Sequence, residues 1–250
     1  MINPCVLIPV YDHEKLLGKI LKTIQGYRLP CIIVDDGSHS PCKDELVQLA
    51  DKFDFVTLVV HPVNRGKGAA VKSGIRAAFK AGYSHVLQVD ADGQHDLEDF
   101  PSFIERSRSY PEAIVLGVPV FDSSIPKSRK YPRYLTHVWV WINTLSFCIK
   151  DSMCGYRMYP VVHILEIIEN NYLGDRMDFD IELVVKSYWN HLQLQSVPTK
   201  VRYLSSGVSH FRPWQDNLLI TTMHTRLFFG MLGRLPELLS RKLAEVKSSG

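Results

Sequence analysis

The stretch that most constrains the chain is Val86-Leu87-Gln88-Val89-Asp90-Ala91-Asp92-Gly93-Gln94-His95-Asp96. An apolar run with β-branched residues feeds directly into carboxylates, a glycine and an amide. That pattern reads as a buried strand with acids at its C-terminal end. In open α/β sheets, ligands bind at that edge. Two carboxylates one residue apart, followed by Gln and His, form a hard-oxygen site suited to Mg²⁺ or Mn²⁺, which also holds phosphates. An isolated Asp-x-Asp is just as ordinary in a surface turn, so the rest of the chain has to supply the context.

The residues before this run alternate strand and helix. Cys5 to Val10 is a short strand, followed by the turn Tyr11-Asp12-His13-Glu14. Lys15 to Gln25 carries Leu16, Leu17, Ile20, Leu21 and Ile24 at helical spacing, and Gly26 is placed to stop that helix. Cys31 to Val34 is a second strand ending in Asp35-Asp36-Gly37-Ser38. A strand, helix, strand unit of this length requires parallel pairing and a right-handed crossover. A helix over about 43–53, a strand Val56 to His61 and a helix over about 67–81 complete the half. Asn64-Arg65-Gly66-Lys67-Gly68 opens that last helix, where bare N–H groups, a positive dipole end and an ammonium suit an anion. A glycine-rich loop with a solvated lysine reads equally well there. The spacing is not that of a Walker loop, and the first βα turn lacks Gly-x-Gly-x-x-Gly, which argues against a dinucleotide dehydrogenase. The architecture expected is α/β: a doubly wound, mostly parallel sheet flanked by helices.

Beyond the acids, Leu97 to Arg108 reads as helix and Ala113 to Val118 as strand. Residues 122–133, rich in Ser, Pro and basic side chains, read as a mobile surface loop, and Tyr134 to Ile149 as a helix. Asp151 to Pro160 reads as a tight polar turn, and Val161 to Glu169 as a helix. Ile181 to Trp189 reads as a further helix, with Asp178, Asp180 and Glu182 near its positive end. A strand from Leu194 to Val201 closes the globular part. Two units follow from this: a domain over 1–210 and a helical tail over 211–250. In the tail, Leu218, Leu219, Ile220, Met223, Leu227, Phe228, Met231 and Leu232 give an apolar face from Asn217 to Leu232. Arg226, Arg234, Arg241, Lys242 and Lys247 supply cations. The tail suits an interfacial helix on anionic lipid, and equally a helix packed on the domain or on a second copy.

Composition narrows the classes. Of 250 residues, 46% are hydrophobic and 22% charged, as in an ordinary globular protein, and a net charge of +3 leaves no nucleic-acid footprint. Five cysteines, an odd number with no Cys-x-x-Cys spacing, argue for reduced thiols and a cytoplasmic location. No secretory leader is expected at the start. The most apolar stretch, Tyr134 to Ile149, is too short and polar to span a bilayer, so any membrane contact is expected to be peripheral, at the inner face.

Taken together, Pro9-Val10-Tyr11-Asp12-His13-Glu14, Val34-Asp35-Asp36-Gly37-Ser38, Asn64-Arg65-Gly66-Lys67-Gly68 and Asp90-Ala91-Asp92-Gly93-Gln94-His95 resemble family 2 glycosyltransferases of the GT-A fold. The likeness runs along about the first 210 residues. Within that family, Asp-Ala-Asp-x-Gln-His and Asp-x-x-Cys-Gly-Tyr-Arg resemble the dolichol-phosphate mannosyltransferase branch. The resemblance implies that Pro9, Tyr11 and Glu14 line a base pocket, and that Asp35 or Asp36 accepts a hydrogen bond from the base. It implies that Lys67 sits beside the nucleotide, that Asp90 holds the ribose or sugar, and that Arg157 lies near the acceptor. Asp92 with Gln94 would hold Mg²⁺ or Mn²⁺ on the diphosphate. Gly93 and His210 depart from that branch; His210 sits where other GT-A enzymes place a late metal or diphosphate ligand, and it reads equally as a surface histidine.

The implied reaction is an inverting transfer from a nucleotide diphosphate-sugar donor to a lipid or glycan acceptor. A hydroxyl acceptor needs a base within reach, for which Asp178 is the candidate and Asp180 the alternative. Both also read as plain helix N-terminal charges. An acid at this place favours a lipid or lipid-linked hydroxyl; a lipid phosphate, as in a polyprenyl-phosphate glycosyltransferase, needs no base. A nucleotidyltransferase is disfavoured because the first βα turn lacks a Gly-rich basic loop. A non-catalytic nucleotide-sugar-binding module is disfavoured because both acids are retained.

Overall fold

The computed structural model describes residues 1–120, 127–201 and 213–248. Seven strands form one sheet in the order β3-β2-β1-β4-β6-β5-β7. They are β1 Pro4–Val10, β2 Cys31–Asp35, β3 Val56–Val60, β4 His85–Gln88, β5 Ile114–Val120, β6 Arg157–Pro160 and β7 Leu194–Lys200. Strands β1 to β4 run parallel, in register Val10↔Asp35 and Leu7↔Gln88. This brings the polar clusters after β1, β2 and β4 to one edge, as the alternating pattern requires. Strand β6 runs antiparallel between β4 and β5. It lies inside the stretch expected to be a turn. Four residues flanked by Gly155 and bounded by Pro160, one of them arginine, carry no strand signature, yet all four are buried.

Side chains alternate across the pleat, and each face of the sheet is covered. Val6 and Ile8 pack with α1 (Leu17–Tyr27), α2 (Cys42–Lys52) and α4 (Phe100–Ser109). Leu7 and Val34 pack with α3 (Lys67–Lys80), α6 (Val161–Asn170) and α7 (Phe179–Trp189). Helix α7 is buried along its whole length, acids and lysine included, so the chain places charge in its interior there.

Several boundaries differ from expectation. Helix α1 runs through Gly26; Tyr27 packs on Phe100, 5.2 Å between ring centroids, and Arg28 takes the left-handed turn instead. The expected loop over 122–133 is helical from Lys127, where α5 (Lys127–Thr144) begins; residues 121–126 lie outside the described residues. The tail forms two helices, α8 (Pro213–Gly233) and α9 (Leu235–Ser248), where only one helix and a polar end were expected. Met223, Leu227, Met231 and Leu238 are buried in the same core as α3, α6 and α7. Of the tail cations, Arg226 pairs with Glu182, Arg234 stacks on Trp189 and Arg241 donates to the Tyr188 carbonyl. They face the domain, as a packing helix requires.

Candidate active site

The edge at the carboxyl ends of β1, β2 and β4 gathers most of the expected residues. The loop after β1 is stitched to the loop after β2: Asp12 N–H donates to Ser38 Oγ, and His39 N–H donates to Asp12 Oδ1. Tyr11 stands edge-on to His39, and Pro9, Tyr11 and Glu14 are all half-buried at this end. The two acids ending β2 part company. Asp36 is fully engaged, accepting from Gly66 N–H at 2.7 Å and Arg65 N–H at 3.0 Å and lying 2.7 Å from His61 Nδ1. Asp35 caps Ser38 N–H through Oδ1, while its buried Oδ2 has no hydrogen-bond partner among the described residues.

These bonds narrow one expectation. Of the N–H groups at the start of α3, Arg65 and Gly66 are taken by the Asp36 carboxylate and Ala69 by the Asp175 carbonyl. The chain's own oxygens thus fill part of that cradle, and the Lys67 and Gly68 amides stand at its centre.

Lys67 is the hub of the site. Its Nζ lies 2.8 Å from Asp90 Oδ1 and 3.1 Å from Asp180 Oδ2. His95 Nε2 stands 3.4 Å from the other Asp90 oxygen, with its ring against Tyr156. Arg157 Nη1 lies 3.7 Å from Asp180 Oδ1. Burial alone would lower the Lys67 pKa, but the Asp180 and Asp90 charges outweigh it and push it up. Burial likewise works to raise Asp90, and Lys67 and His95 hold it well below the usual carboxylate range instead. Gly155, in the loop before β6, closes this cluster. A Cβ there would come within 2.5 Å of Asp90 Oδ2 and 2.6 Å of Lys67 Nζ, so a side chain would displace the pair.

Asp92 is placed differently. It accepts the Gln94 N–H at 2.9 Å, and no cationic side chain of the described residues pairs with it. Its pKa is raised, first by burial and then by the neighbouring Asp90 charge. A buried carboxylate beside a second one is a site that a cation would compensate. Among the described residues no three His, Cys, Asp or Glu stand close enough to hold a metal unaided. The donor set therefore fits a hard ion that takes one or two protein oxygens and completes its shell with phosphate and water. His210 lies outside the described residues.

Asp180 joins the cluster and Asp178 does not. Asp178 is folded back onto its own loop, accepting the Arg176 N–H, and burial raises its pKa. Arg157, expected near an acceptor, is completely buried. It donates from Nε to the Cys154 carbonyl, from Nη1 to the Asp180 carbonyl and from Nη2 to the Ser152 carbonyl, each at 2.7 Å. It therefore ties the loop before β6 to the start of α7. The sequence reading counted His95 only as part of the hard-oxygen run and gave no role to Gly155, although it lies within a motif that was singled out. Glu182 and Arg226, described below, carried no signal because their pairing joins two distant helices.

The family model for glycosyl transferase family 2 matches residues 5–164, which span β1 to α6 and include Lys67, Asp90, Asp92 and Arg157. The chain belongs to glycosyltransferase family 2. A dolichyl-phosphate beta-glucosyltransferase, ALG5D of Trichomonas vaginalis, is 28% identical to this glycosyltransferase over 200 residues, covering 72% of this chain and 59% of that protein. The UDP-N-acetylglucosamine–dolichyl-phosphate N-acetylglucosaminyltransferase of Methanococcus voltae is 22% identical, covering 79% and 85%. Among solved structures, glucosyl-3-phosphoglycerate synthase from Mycobacterium tuberculosis, in complex with Mn²⁺, UDP-glucose and phosphoglyceric acid, matches with a TM-score of 0.66 at 14% identity. That match covers 92% of this chain and 80% of the other. The shared fold is GT-A.

Proposed function

We propose that this glycosyltransferase moves a sugar from a nucleotide diphosphate-sugar to the phosphate of a polyprenyl-type lipid. The single observation that carries this is the charge cluster Lys67–Asp90–Asp180–Arg157 set beside the uncompensated Asp92, at the edge where GT-A ligands bind. The dolichyl-phosphate transferases among its relatives support the acceptor class.

Each residue takes a role from its surroundings. Asp35 Oδ2, buried and unpartnered, accepts an N–H of the base between Pro9, Tyr11 and Glu14; Asp36 is fully engaged elsewhere. Asp90, kept ionised by Lys67, holds the ribose or sugar hydroxyls. Asp92, with Gln94, would hold the divalent ion, Mg²⁺ or Mn²⁺. When bound, that ion neutralises charge on the departing diphosphate without a proton. Lys67 adds a fixed ammonium to the same end of the site.

The acceptor follows from the acids. A hydroxyl nucleophile would need a free carboxylate, yet Asp178 is tied into its own loop and Asp180 is shared between Lys67 and Arg157. A lipid phosphate is already anionic. Its oxygen bonds to the anomeric carbon from the face opposite the diphosphate, the glycosidic C–O bond breaks, and the nucleoside diphosphate leaves with the electron pair. The configuration is inverted and no proton has to be removed. Asp180 then serves as counter-ion to Lys67.

Two further observations bear on where this happens. No helix among the described residues is long and apolar enough to cross a membrane. Leu135, Trp139 and Ile142 of α5 and Leu218, Phe229 and Leu232 of α8 are exposed at spacings that place each set on one helix face. Trp139 touches Phe228, so the two faces are neighbours. This apolar strip is the surface proposed to rest on a lipid bilayer, and the odd number of cysteines, with no Cys-x-x-Cys spacing, supports its cytoplasmic side. The test is transfer of labelled sugar from a panel of donors to polyprenyl phosphate with Mg²⁺ or Mn²⁺. Organic-phase label that is lost on chelation, and reduced at least about a hundredfold in Asp92→Asn at unchanged melting temperature, is expected. Transfer to hydroxyl acceptors alone, or a fully active Asp92→Asn, overturns the assignment.

A further inference from the structure

Glu182 lies in the interior of α7, and its side chain is fully buried. A carboxylate there must be paired. Its Oε2 accepts the Gly174 N–H at 2.9 Å, and its Oε1 lies 3.0 Å from Lys186 Nζ. Its third partner comes from the tail: Arg226 of α8 donates to both oxygens through Nε and Nη2, at 2.9–3.2 Å. The same guanidinium lies 4.3 Å from the centroid of the Tyr172 ring, and Lys186 donates to the Tyr172 carbonyl.

The segment held in this way, Tyr172 to Asp178, connects α6 to α7; it packs against Gly66 and Gly68, which flank Lys67, and leads into Asp180. On one side it docks on the start of α3: Ala69 N–H donates to the Asp175 carbonyl, and Lys72 Nζ donates to the Leu173 carbonyl and pairs with Asp175 at 2.6 Å. On the other side it sets the first turn of α7. A Cβ on Gly174 would lie 1.9 Å from Asp178 Oδ2, so backbone and carboxylate are in close contact there.

We propose that Arg226 is a positioning residue for transfer, and that helix α8 is thereby a working part of the active site. Resting on the transferase reading above, the route is Arg226 to Glu182, Glu182 to the Gly174 amide, and that loop to the relative placement of Lys67 and Asp180. The bidentate fork matters because it fixes the orientation of the Glu182 carboxylate as well as its charge. The base end of the donor site is built from the loops after β1 and β2, outside this segment, so loosening the clamp is expected to lower kcat before it raises the donor KM.

The test uses the full chain with Arg226→Met and Arg226→Lys. Hydrogen exchange needs no substrate: amides of residues 172–178 should exchange at least tenfold faster in Arg226→Met, with the β1, β2 and β4 amides unchanged. With polyprenyl phosphate and the preferred donor, kcat should fall at least tenfold while the donor KM moves less than twofold. Arg226→Lys, which keeps the charge, should recover part of both effects. Unchanged exchange in 172–178, unchanged kcat, or faster exchange throughout the sheet with kcat and KM lost together overturns the proposal. If Arg226→Met does not fold, Glu182→Gln is read by the same criteria. A wild type with no turnover on any donor overturns the transfer reading instead, and exchange alone then decides whether the clamp exists.

Discussion

At the residue scale, the site is an exercise in keeping buried charges paired. Lys67 neutralises two carboxylates that would otherwise repel each other in a desolvated place. Removing one partner from such a cluster leaves uncompensated charge and costs on the order of 3 kcal/mol. Lys67→Met is therefore expected to lower unfolding stability by about that much in a urea titration, and Lys67→Met/Asp180→Asn to recover a measurable part of it. A Lys67→Met that melts with the wild type would show that Lys67 does not hold the cluster together. The sequence announced the residues that lie in short motifs: Asp35, Lys67, Asp90 and Asp92 were legible because each follows an apolar run or opens a helix. It could not divide labour within a pair. Asp35 and Asp36 look alike in sequence, and only the bonds from Arg65 and Gly66 show that Asp36 is a structural acceptor. Asp178 and Asp180 separate for the same reason.

At the scale of elements, the helix pair α5 and α8 deserves its own account, because the domain and the tail meet there. His224 of α8 is buried against Asn143 and Trp139, and burial lowers its pKa to about 4 from 6.5. The unfolded chain therefore binds a proton at this residue below pH 6.5 that the folded chain refuses until about pH 4. Stability contributed by the neutral ring is complete above pH 6.5 and falls as the pH drops, at a limiting slope of about 1.4 kcal/mol per pH unit. Urea midpoints measured from pH 7 to 4.5 should decline steeply in the wild type and less so in His224→Leu; parallel curves would show that another group sets the acid limb. The exposed strip on the same helices makes a second expectation. Trp139→Ser/Phe229→Ser should lose co-sedimentation with phospholipid vesicles at least fivefold while its turnover on detergent-dispersed acceptor stays within twofold. Equal sedimentation of both proteins would take the strip out of the lipid contact. Helix periodicity revealed that α8 had an apolar face but not what it faces. Its apolar residues divide between a buried row, with Met223 and Leu227, and an exposed row, with Leu218 and Phe229, and the sequence pattern does not distinguish them.

At the scale of the whole molecule, the parallel half was legible because each strand and helix there carries its own local period, and because βαβ crossovers leave one topology open. The second half was harder. Strand β6 is four residues long, antiparallel, and contains a buried arginine that donates to three backbone carbonyls. No local pattern predicts an element that depends on such tertiary partners. The same holds for the tail, whose cations look like lipid contacts in sequence and are turned to Glu182, Trp189 and Tyr188 in the fold. What unites the halves is one edge of one sheet, where two half-buried acids, Asp90 and Asp92, stand with Lys67 at the proposed diphosphate site. Following the ³¹P spectrum of a nucleotide-sugar with the enzyme, Mg²⁺ and polyprenyl phosphate tests this most directly. One nucleoside diphosphate and one lipid phosphodiester should appear per donor consumed, and both should cease on chelation. Inorganic pyrophosphate appearing from a nucleoside triphosphate and a sugar phosphate, with the nucleotide-sugar left intact, would contradict it.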